Sequence, residues 1–131
     1  MTPIHRTGWA WATLAAAVLM GSAAYAHHTG SMYDRTKPVT VKGVVKELVW
    51  VNPHSSLQVL ADPGQPHAGK TWVLEMTSPG NLTRQGWTKR SLKPGDRVEV
   101  QIGPLKAGGA AGSLMQARNL ATGELVGERE P

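Results

Sequence analysis

The sequence predicts an all-β domain, a small five-stranded barrel with one short helix between its third and fourth strands. Three observations predict it. Apolar residues alternate with polar ones over short stretches, as in Leu57, Val59 and Ala61 and again in Trp72, Leu74 and Met76, which is the two-residue period of a half-buried strand. Turn-forming clusters separate the stretches, among them Asn52-Pro53, Asp62-Pro63-Gly64 and Pro94-Gly95. At Ser78-Pro79 the period switches, with Ser as an N-cap and Pro at the first helical position.

The first strand is expected over residues 38–51. Val39 and Val41 alternate with Thr40 and Lys42, and the phase blurs at Gly43, where a glycine inside a strand marks a bulge or bend. A long strand bent there can belong to both halves of a barrel. Asn52-Pro53-His54 ends it, because Pro lacks a ladder N–H and holds the preceding residue extended. The second strand covers residues 55–61, with Leu57, Val59 and Ala61 on one face and Ser56 and Gln58 on the other. Residues 62–69 form a loop. The third strand, 70–77, turns Trp72, Leu74 and Met76 inward and Thr71, Val73, Glu75 and Thr77 outward.

A short helix over 79–85 would stop at Gly86, with Leu82 pointing inward and Trp87 plugging one barrel end. Pro94-Gly95 fits a type II turn. The fourth strand, 97–104, alternates with Val98, Val100 and Ile102 inward. Residues 106–113, with three glycines, read as a flexible hairpin loop before a last strand over 114–121. Residues 123–131 read as a turn and frayed tail. This order matches the OB-like barrel, which hides most sheet edges in a chain without disulfides. An open β-sandwich or roll with the same strands is the alternative.

Residues 1–26 read as a signal peptide. One charge, Arg6, precedes an apolar run that ends in the small-residue site Ala24-Tyr25-Ala26. The alternative is an uncleaved anchor, since the uncharged stretch 8–26 approaches the ~20 residues of a membrane span. Cleavage would start the chain at His27, leave an arm over 27–37 and a domain over 38–122, and place a soluble protein in the periplasm or outside the cell. Net charge is +5 with Arg6 included. So mild a basic excess, spread along the chain, argues against nucleic acid as partner. The chain has no Cys, so core packing alone must hold the domain and no lipidated cysteine is available.

Several motifs recur together: His27-His28 after the leader, Tyr33-Asp34, Trp50-x-Asn52-Pro53-His54, Asn81-Leu82-x-Arg84-x-Gly86-Trp87 and Leu92-Lys93-Pro94-Gly95-Asp96. The set resembles the short exported bacterial proteins of domain-of-unknown-function family 6152, over nearly the whole mature chain. Thr29-Gly30 departs from the pattern, where an aromatic usually follows the His pair. The resemblance implies the fold and export and brings no activity with it.

The residues themselves suggest binding rather than catalysis. There is no Cys nucleophile and no Gly-x-Ser-x-Gly elbow, carboxylates are scattered, and the glycine run at 108–112 lacks the Lys-Ser/Thr of a phosphate loop. Trp50, Trp72 and Trp87 suggest a stacking platform, although Trp72 shares the inward phase of the core. The expected ligand surface is the outward face of the middle strands: His54, Ser56, Gln58 and Glu75, with Glu75 placed to orient His54 as carboxylates orient metal-ligating histidines. An ordinary polar sheet surface is the plainer reading of the same residues. The ligand would be a small molecule or an exported protein, with no cofactor. The alternative ligand is copper(II). A processed His27 offers an α-amine and an imidazole, and His28 or His54 a third nitrogen, resembling the histidine brace of secreted copper proteins. His67 sits exposed in its loop.

Overall fold

The computed structural model describes residues 32–127. Residues 1–31, which include His27 and His28, and residues 128–131 lie outside the described residues. Strand β1 (Val39–Val49) is followed by β2 (Ser56–Ala61), β3 (Thr71–Glu75), helix α1 (Pro79–Arg84), β4 (Arg97–Pro104) and β5 (Ala111–Asn119). They close into a barrel of order β1-β2-β3-β5-β4. The β3–β5 seam is parallel and the other pairings are antiparallel.

Closure depends on β1 serving two neighbours. Its first half pairs with β4, from Val39↔Ile102 to Val44↔Arg97, and its second half with β2, from Gly43↔Ala61 to Val49↔Ser56. The strand's irregularity lies between Val45 and Glu47, not at Gly43 as the blurred phase suggests. Gly43 is glycine for want of room: a Cβ there would collide with the Leu60 carbonyl and come 2.9 Å from Val59 Cγ1.

The alternation expected of β2, β3 and β4 is realised in the core. Val41, Leu57, Val59, Leu74, Val98, Val100 and Ile102 are all fully buried. Trp72 joins them, its indole N–H donating to the Pro66 carbonyl at 3.0 Å, so the one polar atom of the ring is satisfied. Trp87 is buried in the same cluster and Trp50 packs against it half-buried. The three tryptophans therefore form no exposed stacking platform, because two of them are needed to fill the interior. α1 begins as expected, with Ser78 Oγ accepting from Asn81 N at 3.4 Å, and ends before Gly86, whose φ is 91°. Leu82 is its buried residue.

Two expectations are corrected. β5 starts at Ala111, inside the stretch read as a flexible loop. Gly112 pairs with Leu74 on one side and Pro104 on the other, and a Cβ there would strike the Ile102 side chain and the Gly103 carbonyl. Smallness at the seam, not flexibility, is what this glycine supplies. The start of the tail is also ordered: Leu125 bridges Arg118, Val126 N donates to Ala117 O at 2.8 Å, and Gly127 lies against the Trp87 indole. No helix among the described residues is long and apolar enough to cross a membrane.

Candidate functional site

The corner between β1 and β2 is tied down from inside. Ser55 is fully buried; its N–H donates to Thr77 O at 3.1 Å, and its carbonyl accepts from Met76 N at 2.9 Å. Its hydroxyl donates to Val51 O at 3.4 Å. The Asn52–Pro53 peptide is cis. With Ser55 facing inward, alternation turns His54 outward, over the end of β3 where Glu75 also faces out.

His54 Nδ1 lies 2.7 Å from Glu75 Oε1, with the two side chains 47% and 30% exposed. The other carboxylate oxygen, Oε2, accepts from the Tyr33 hydroxyl at 2.7 Å. One carboxylate thus holds an imidazole and a phenol. Burial, reinforced by the hydrogen bond and charge of Glu75, pushes the Tyr33 phenol up to about 12, so it stays protonated and donating at neutral pH. With Nδ1–H spent on the carboxylate, a neutral His54 carries its lone pair on Nε2. Among the described residues Glu75 is the partner of His54, and no hydroxyl is bonded to the ring.

Tyr33 arrives on an arm docked against the β4–β5 hairpin. It bridges Leu105, while Asp34 N donates to Pro104 O at 2.8 Å and Lys106 N to Met32 O at 2.9 Å. Gly103 makes room for the arm: a Cβ would come 2.9 Å from Arg35 Cγ.

Of the residues singled out from sequence, His54 and Glu75 come together. Ser56 stands opposite Glu75 in the β2–β3 register. Gln58 turns away from the corner towards Glu47, with 3.5 Å between Nε2 and Oε2. His27 and His28 lie outside the described residues. His67 is exposed and meets the Trp72 ring edge-on at 5.1 Å between centroids, which helps seat its loop. Sequence reasoning quoted Tyr33 only within the Tyr33-Asp34 motif and missed it as a site residue. Its partner is 42 residues away, and no local pattern signals that bond.

A carboxylate-held imidazole has two chemical uses. It activates a hydroxyl or thiol as the base of a nucleophilic triad, or it presents a metal ligand of fixed tautomer and orientation. The first use requires a nucleophile on Nε2, and among the described residues none is bonded there. No group of three His, Cys, Asp or Glu residues among them could hold a metal alone, so the second use requires donors from elsewhere.

Residues 12–115 match the model of a family described as "Family of unknown function (DUF6152)". The chain belongs to this family. The DUF6152 match spans the corner at His54, the carboxylate of Glu75 and the arm that carries Tyr33, and it ends within β5. No curated protein and no solved structure matches the chain.

Proposed function

We propose that this DUF6152 protein is an exported, soluble binding module without catalytic activity, and that the ligand taken at its His54 rim is a transition-metal ion, copper(II) foremost. The observation that carries the reading is the 2.7 Å bond from Glu75 to His54 Nδ1. A carboxylate on one ring nitrogen fixes the tautomer and raises the basicity of the other nitrogen. The His54 side chain is half-exposed at the rim, where a soluble ion can approach the ring. Imidazole donors suit copper, which tops the divalent affinity order. The remaining nitrogens would come from His27 and His28, the amine of His27 included once the leader is removed.

The test is a copper(II) titration of the exported chain, its N-terminus checked by mass spectrometry, against glycine as competitor. One ion per chain is expected, bound at least tenfold more weakly by His54→Ala and by a chain carrying an extra residue before His27. Equal binding by all three, or none, would contradict the reading. A second reading keeps a small organic molecule or an exported protein on the β2–β3 face. The observation favouring it is Val73, 49% exposed beside Glu75 on that face. It expects ligand-induced amide shifts along β3 that are indifferent to copper.

A further inference from the structure

Arg84, Lys89, Arg90 and Lys93 fall within residues 76–95, a stretch that holds no Asp or Glu. Charge that is mild over the whole chain is one-signed here. We infer that this segment, α1 and the turns after it, is a cationic surface by which the protein adsorbs reversibly to an anionic lipid bilayer. Buried Leu82, Trp87 and Leu92 root the segment in the barrel core, and all four cations are exposed.

The cations are presented by fixed structure. The Arg84 guanidinium donates to Asn81 Oδ1, and the Asn81 amide donates to Thr77 Oγ1 at 2.9 Å. Lys89 and Arg90 sit at the tip of a turn in which Thr88 N donates to Ser91 Oγ at 2.8 Å and Arg90 N to Thr88 Oγ1 at 3.1 Å. Lys93 is answered by Asp96 at 2.9 Å, as Lys42 is by Glu99 and Arg97 by Asp62. Arg84, Lys89 and Arg90 differ: among the described residues no carboxylate pairs with them.

The character of the surface selects its partner. A protein-docking site carries an apolar centre within a polar rim. Here the large apolar side chains of the segment, Met76, Leu82, Trp87 and Leu92, are all buried in the barrel. Single-stranded nucleic acid stacks its bases on exposed aromatic rings, and Trp87, the aromatic residue of the segment, is one of those buried. A bilayer rich in anionic headgroups requires neither feature. It draws in each nearby Lys or Arg by about fivefold in partitioning, and the guanidinium fork matches phosphate oxygens. With no apolar wedge to insert, such contact stays electrostatic and is weakened by salt.

Vesicle sedimentation tests this with the exported chain, its N-terminus checked by mass spectrometry. One set of vesicles holds equal parts of phosphatidylcholine and phosphatidylglycerol, the other phosphatidylcholine alone. Binding is expected to the mixed vesicles only, and it should fade as salt is raised. Lys89→Gln combined with Arg90→Gln should weaken it roughly twenty- to thirtyfold, and Arg84→Gln about fivefold. The Lys89 and Arg90 side chains make none of the turn's bonds, so that variant should melt like the unaltered chain. Lys106 is the control. The eight residues of β4, roughly 25 Å of strand, separate it from the end at which the segment joins the barrel, so Lys106→Gln should cost less than about twofold. An equal loss from Lys106→Gln would assign adsorption to overall charge and overturn the inference, as would binding to both kinds of vesicle or to neither. Tighter binding to soluble poly-glutamate than to the mixed vesicles would also overturn it and assign the surface to an acidic protein.

Discussion

Inward from the corner, Ser55, Leu57 and Val59 are completely buried, whereas His54, immediately before them, is half-exposed and, among the described residues, its ring is held by Glu75. The interior is held by summed apolar area, in which each buried Leu or Val contributes roughly 1.5–3 kcal/mol and many combinations serve. The rim is held by two bonds of 2.7 Å to a single carboxylate, and only particular atoms will make them. Stability and recognition are therefore written on opposite faces of the same strands. Changes inside should unfold the protein before they alter its chemistry, and changes at the rim should do the reverse.

The largest effect expected is inside. Leu74 is fully buried next to Glu75 in sequence, and Leu74→Ala should cost about 2–5 kcal/mol in chemical denaturation. Gly43→Val tests the opposite fault, too much volume where β1 meets β2. Its Cβ has no space before the Leu60 carbonyl, so a loss of about 1–3 kcal/mol or more is expected. A denaturation midpoint unchanged by either would break the contrast. His54→Ala sharpens it from the other side. The pair it removes is part-exposed, so the stability change should stay within about 1 kcal/mol while ligand binding fails. The smallest effect concerns acid. The Arg97 guanidinium, bonded to both oxygens of Asp62 at 2.8 and 2.6 Å, holds that carboxyl below the ordinary carboxylate range. A folded-state pKa below the unfolded one stabilises the fold above the unfolded value and is lost as pH falls through the folded one. Melting temperature should therefore drop slightly more steeply in acid for the unaltered chain than for Asp62→Asn.

The same contrast governs what could be read before any coordinates. Alternation exposes an inward face directly, so β2, β3 and β4 and their buried residues were legible, as were the Ser78-Pro79 helix start and the turn at Gly95, where φ is 92°. Glycine was the ambiguous letter. At Gly43 and Gly112 it marks close approach of neighbouring chain, yet the sequence cannot distinguish that from a bulge or a flexible loop, and β5 was accordingly begun three residues late. The site was legible in half. Period alone turns His54 and Glu75 outward on neighbouring strands, and the corner at Pro53 makes their meeting a fair expectation. Tyr33 was not legible in the same way, because its bond depends on where the arm crosses the β4–β5 hairpin. That is a property of the closed barrel and not of the residues around Tyr33.

Pulsed electron paramagnetic resonance of the copper(II)-loaded exported chain tests the central claim most directly, because it detects the remote nitrogen of a copper-bound imidazole. With His54 as a ligand, His54→Ala should lose part of that nitrogen modulation while its melting curve stays where it was. Superimposable spectra from the two proteins would show that the imidazole held by Glu75 does not meet the metal.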